Sequence, residues 1–211
     1  MAEPLALPSR PLPRAERTRA AILAAAERLF AERGFEGTRL EDVAAAVGIR
    51  RASIVYHFRD KAELYDAVLA EVLGALHARL AEALLGEGAF AVRVERAVSA
   101  FVDAVATRPA LARLLLREVA DGTPARHSRL APHLPPFFAL VEGVIAAPDA
   151  VTLPGVDPVA IASQVAGGTV FFVAAMPTLL PGIAFAPLAP ERLEALRREM
   201  LGSVRGLLAG G

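Results

Sequence analysis

Residues 38–58 read TRLEDVAAAVGIRRASIVYHF, and this stretch decides the fold. Thr38-Arg-Leu-Glu41 has the spacing of a capping box, in which a hydroxyl and a carboxylate satisfy the free amides at a helix start. A short helix is therefore expected from Thr38 to about Val47, stopped by Gly48. After the turn Gly48-Ile49-Arg50, a second short helix carries Ala52 to Phe58. Upstream, Ile22, Ala25, Ala26, Leu29 and Phe30 recur at three- and four-residue steps, with Glu27, Arg28 and Glu32 off that stripe and Gly34 at its end. Two short helices on a glycine turn, braced by a third, spell a helix-turn-helix.

The second helix of such a pair enters the major groove of duplex DNA, so its outer face needs hydrogen-bond donors. Arg50, Arg51, Ser53, Tyr56 and His57 lie there, while Ile49, Ile54 and Phe58 are placed to hold the inner face on the core. Thr38, Arg39 and Lys61 stand at helix starts, where phosphate docks against free amides. Arg50 is a poor N-cap residue, which makes more sense as a DNA contact than as a structural choice. Taken singly, an Arg-Arg pair is ordinary solvated surface, and glycine turns occur in plain helical bundles. Charge placement favours nucleic acid. The whole chain balances 23 basic against 23 acidic side chains, yet Arg10 to Leu64 holds eleven Arg/Lys against eight Asp/Glu.

At these residues the chain resembles the tetracycline-repressor (TetR) type of bacterial regulator. Ile22, Ala26, Leu29-Phe30, Gly34, Thr38, Val43-Ala44, Val47-Gly48-Ile49, His57-Phe58, Lys61 and Leu64 fall at that family's spacing, over under a quarter of the chain. The resemblance implies an all-helical dimer whose first three helices bind DNA and whose variable remainder binds a small effector and the partner subunit. It also implies a repressor. The sequence departs from the pattern at Arg50, Ala52 and Val55, where the family often has serine, glycine and tyrosine. The missing tyrosine removes one expected phosphate contact, which Tyr56 in the next position can supply.

The rest of the chain keeps helical periodicity. Helices are expected from Lys61 to about Leu85, Phe90 to Thr107, Pro109 to Ala120, Pro135 to Ala147, from Pro158 onward, and from Pro190 to about Leu208, with loops at 121–132 and 148–156. No strand alternation appears, so the chain reads as all-α. The division is a disordered arm at 1–15, a helix-turn-helix domain at 16–61, and an effector-binding and dimerisation domain at 62–211. Leu193, Leu196, Met200 and Val204 form one apolar seam, and Ile161, Val165, Gly168 and Phe172 a second. Two such helices per subunit would build a four-helix dimer interface; the alternative is packing inside one subunit. Phe101, Phe137, Phe138 and Phe171, with Arg117 and Gln164, are candidate walls of a pocket for a small, largely apolar effector.

Several functions find no support. The chain has no cysteine, and its four histidines lack metal-ligand spacing. Neither a nucleophile elbow, a phosphate-binding loop nor a zinc-protease motif occurs, so no enzyme, cofactor or metal is expected. The opening MAEPLALPSRPLPRAERTR has four prolines and no apolar core of signal-peptide length. Between Pro158 and Pro190 no residue is charged, but Pro177, Pro181 and Pro187 divide the run, so it is expected to pack on protein rather than span a bilayer. A cytoplasmic protein follows as the expectation.

Overall fold

The computed structural model describes residues 13–120, 128–146 and 157–209, which form ten α-helices and two short 3-10 turns with no strand among them. The head comprises α1 (Arg14–Arg33), α2 (Leu40–Val47) and α3 (Arg51–His57). The body comprises α4 (Lys61–Leu85), α5 (Phe90–Thr107), α6 (Pro109–Ala120), α7 (Pro135–Ile145), α8 (Pro158–Ala174), α9 (Met176–Leu179) and α10 (Pro190–Ala209). Helix α1 already includes Arg14 and Ala15, both within the expected arm; residues 1–12 lie outside the described ones. Most of the expected loops at 121–132 and 148–156 also lies outside them.

Local chemistry accounts for the boundaries. Gly48 adopts φ 74° and ψ 33°, a left-handed conformation that a Cβ would strain. Its N–H donates to Ala45 O at 3.2 Å and that of Ile49 to Ala44 O at 3.0 Å, which closes α2. Asp60 caps α4 by accepting from Glu63 N at 2.8 Å, and Asp157 caps α8 by accepting from Val159 N at 2.8 Å. The apolar run breaks after α8, where Pro177 opens the short α9 instead of extending the helix.

The start of α2 differs from the sequence expectation. Thr38 is 1% exposed and its hydroxyl lies 3.2 Å from Leu29 O and 2.8 Å from Gly34 O, fastening the turn to α1. The N-cap position falls to Arg39, whose side chain cannot accept a hydrogen bond. Only the carboxylate half of a box forms there, with Arg39 N donating to Asp42 Oδ2 at 3.2 Å.

One core runs from head to body. Ile22, Ala26 and Phe30 of α1 meet Val43 and Ala44 of α2, Ile54 of α3, and Leu64, Tyr65 and Val68 of α4. Phe30 and Tyr65 pack edge to face with ring centroids 4.7 Å apart. Glu27, expected off the apolar stripe, is buried, and Arg108, between α5 and α6, reaches it there. Helix α10 lies chiefly against α5, and α8 against α6 and α5. The seams read as dimer contacts therefore close largely inside the chain. Val165, Leu196 and Val204 are buried, Met200 lies against Gly168, and Ile161 and Phe172 pack on the common core. Arg197 pairs with Asp103, and Arg205 with Glu95 at 2.6 Å, so two arginines off the apolar seam also face α5.

Candidate nucleic-acid interface

Helix α3 is held by its inner face. Ile54 and Phe58 are buried in the core shared with α1, α2 and α4, and the Arg19 guanidinium lies over the Phe58 ring at 5.2 Å. The opposite face is left to solvent. Arg50, Arg51, Ala52, Val55 and Tyr56 are exposed there, and Ser53 and His57 are half-buried. Tyr56 is 83% exposed, with the His57 ring edge-on at 5.2 Å. Arg50 occupies the N-cap of α3 and makes no cap hydrogen bond, which leaves its side chain free of that duty. Arg39 is exposed at the start of α2. The expected donors Arg39, Arg50, Arg51, Ser53, Tyr56 and His57 thus belong to the head's exposed or half-exposed surface.

Two candidates sit differently. Thr38 is buried and its hydroxyl is committed to backbone carbonyls, so its side chain serves the turn rather than a phosphate. Lys61 donates from Nζ to Phe35 O at 2.8 Å, lies 4.3 Å from the Phe35 ring centroid and has Glu36 at 3.8 Å. It knits the α1–α2 turn to α4. Beside it, Arg59 donates to Glu63 from both its backbone N–H, at 2.9 Å, and its Nε, at 2.8 Å. Hydrogen bonding from Arg59 holds the Glu63 carboxyl below its ordinary range, so it stays charged at the positive N-terminal end of α4.

Contacts invisible to periodicity join the head to the body and tie the body's own helices together. Arg108 binds Glu27 and Glu71, Tyr65 donates its hydroxyl to Glu118 at 2.5 Å, and Arg129 pairs with Asp66 at 3.2 Å. Arg117, expected in the effector pocket, instead donates to Ala31 O at 3.2 Å and Glu32 O at 2.8 Å. It satisfies the last carbonyls of α1, where a cation also meets the negative end of the helix. These partners are separated by tens of residues, so no local spacing announces them.

The other pocket candidates also divide. Phe101 is buried, and Phe137 packs on the core with its ring edge-on to His77 at 5.5 Å. Phe138 and Phe171 are 55% and 48% exposed, and Gln164 is exposed, because they lie on the outer sides of α7 and α8.

Residues 22–68 match the family model for bacterial regulatory proteins of the tetR family. That match lies on the head, from α1 to the start of α4, and is a likeness of this segment to the tetR family. The chain is 46% identical over 69 residues to the HTH-type transcriptional regulator TtgR of Pseudomonas putida, spanning 33% of this chain and 32% of that protein. It is 45% identical over 53 residues to the HTH-type transcriptional regulator RutR of Escherichia coli, 25% of each. These matches therefore span about a third or less of the relatives' length. The fold likeness reaches further. A TetR-like transcriptional regulator from Rhodococcus sp. RHA1 superposes with a TM-score of 0.70 at 20% identity, covering 95% of this chain and 100% of that one. FadR from Bacillus subtilis, solved in complex with stearoyl-CoA, superposes at 0.68 with 17% identity over 91% and 98%. The head that matches the tetR-family model thus stands on an all-helical body whose fold is like that of these two structures. Among the described residues no helix is long and apolar enough to cross a membrane.

Proposed function

We propose that this chain is a homodimeric, sequence-specific DNA-binding transcriptional regulator of the cytoplasm, and that it acts as a repressor released from its operator by a small, largely apolar effector. The observation that carries this reading is the outer face of α3, where Arg50, Arg51 and Tyr56 stand exposed on a helix anchored by Ile54 and Phe58. Arg51 and Ser53 are assigned to base edges; Arg39, Arg50, Tyr56 and His57 are assigned to the backbone. Lys61 positions the head through Phe35. The repressor assignment draws support from BepR of Brucella suis, named a transcriptional repressor, 40% identical over 55 residues.

For the dimer, the seams that close within the chain give way to the surface that remains. Val159, Ser163, Gly167 and Phe171 lie along one exposed side of α8, and Gly202 and Gly206 are exposed on α10. Small residues beside one aromatic allow close approach of two copies about a two-fold axis, which matches a two-fold operator. For the effector, Arg117 of α6 is taken up by the end of α1 and Glu118 by Tyr65 of α4, and an apolar effector is the reading that this favours.

Binding to the DNA upstream of its own gene, followed by gel shift across a salt series, tests the reading. If each subunit neutralises about three to five phosphates, log affinity falls against log salt with a slope of roughly −5 to −9. A slope near zero overturns it.

A further inference from the structure

Arg51, the first residue of α3, forms an ion pair with Glu41 of α2, with Nε 2.8 Å from Oε1. Both side chains are more than half exposed. An exposed pair of this kind contributes little to stability, since solvent screens it and two side chains must be ordered to form it. Its consequence is geometric. A guanidinium carries five donors in a planar fork, and the contact with Glu41 engages Nε. The Nη1 and Nη2 ends of the same plane are those that can bind the O6 and N7 acceptors of guanine end-on.

We propose that Glu41 is a positioning residue for base recognition: it holds the Arg51 guanidinium by Nε across the helix-turn-helix, so that the terminal amino groups face a guanine edge. The proposal rests on the reading of α3 as the DNA-reading helix. A long side chain at the first turn of α3 otherwise samples many rotamers, each able to reach a phosphate, and phosphate contact carries no sequence information. The carboxylate restricts that sampling and, by its own charge, repels DNA docked in any register that fails to seat Arg51 on a base. Arg39 and Arg50 differ, for among the described residues neither has an ion pair. The head therefore presents cations of two kinds. Arg39 and Arg50 are available to the backbone, and Arg51 is held for a base.

The test uses the full chain and a duplex selected by it from a random-sequence pool, with each base pair of a half-site substituted in turn, beside an unselected duplex. Glu41→Gln is expected to lower the preference at the base pair read by Arg51 by roughly three- to tenfold. The same substitution leaves affinity for the unselected duplex equal or a few-fold higher, because one negative charge is gone. Arg51→Ala loses the same preference, and the double substitution loses no more than Arg51→Ala alone. Thermal melting of Glu41→Gln matches that of the parent. The proposal is overturned if Glu41→Gln shifts all duplexes alike, or if its effect on base preference adds to that of Arg51→Ala. A parent chain that binds every duplex equally overturns both this proposal and the reading beneath it.

Discussion

Arg108, at the mouth of α6, binds the Glu27 carboxylate of α1 with both prongs of its guanidinium, Nε to Oε1 at 2.7 Å and Nη2 to Oε2 at 2.5 Å. Glu71 of α4 accepts from the same Nη2 at 3.1 Å. One side chain thus ties together the helix that braces the head, the helix that leads out of it, and the body. The hydrogen bond to Glu27 holds the Arg108 pKa above its ordinary value, so the guanidinium is charged at every pH of interest.

Removing Arg108 leaves the Glu27 carboxylate buried without its cation. Arg108→Ala is expected to destabilise the protein by about 2 kcal/mol or more, somewhat below a fully buried pair because Arg108 is partly exposed. Glu27→Gln keeps neutral hydrogen bonds and should cost less. Urea denaturation of the two variants decides the order; an unchanged midpoint for Arg108→Ala contradicts the role given to the pair.

Gly37 lies in the turn between α1 and α2, where an added Cβ would stand 2.4 Å from Arg33 O. No real Cβ tolerates that approach, so the turn has to shift. Gly48 has open space around it but φ +74°, and an alanine there meets a backbone penalty of about 1–2 kcal/mol. Gly37→Ala should therefore displace the start of α2 and weaken DNA binding, whereas Gly48→Ala should mainly lower the melting temperature. Equal DNA affinity of Gly37→Ala and the parent at temperatures where both are folded would contradict this.

Phe171 and Leu196 separate the proposed dimer face from the chain's own core. Phe171 is half exposed on α8, and Leu196 is buried against the chain. Phe171→Glu is expected to shift the protein toward monomer in sedimentation while its melting curve stays cooperative. Leu196→Ala should cost about 2–5 kcal/mol of stability. A Phe171→Glu protein that remains dimeric at micromolar concentration removes α8 from the interface.

Glu95 and Glu63 predict part of the acid response. Hydrogen bonds from Arg205 and Arg59 respectively hold both carboxyls below their ordinary range in the folded chain. Each depressed group contributes stability above its unfolded pKa and loses that contribution as pH falls through the folded value. Replacing both glutamates with glutamine should flatten the decline of melting temperature below the ordinary carboxylate range. An acid slope unchanged by the double substitution would show that neither carboxylate matters to it.

Arg117 fastens α6 to the end of α1, and Tyr65 fastens α4 to α6, which makes both a test of the proposed effector response. Arg117→Ala frees the carbonyls of Ala31 and Glu32, and Tyr65→Phe removes the hydrogen bond to Glu118. Both should reduce the change in operator affinity on adding a ligand found by screening more than they change affinity without it. Undiminished coupling in the pair of variants would show that neither contact carries the response.

The helices, the glycine turn and the outer face of α3 were legible in the chain itself. They rest on interactions within four residues or on apolar periodicity, as with Ile22 to Phe30, Gly48, Asp157-Pro158 and the donors from Arg50 to His57. Tertiary packing decided what periodicity leaves open. An apolar stripe says that a face is covered, not by what; Leu196 and Val204 are buried within the chain itself, on a helix that lies chiefly against α5. A charged residue off the stripe reads as solvated until a distant partner is known; Glu27 meets Arg108 across 81 residues. Thr38 looked like a helix cap, but the fold of α1 brought two carbonyls to its hydroxyl first. Arg51 was legible as a donor from its place in the sequence, while the carboxylate that holds it is set by the angle of the turn between α2 and α3.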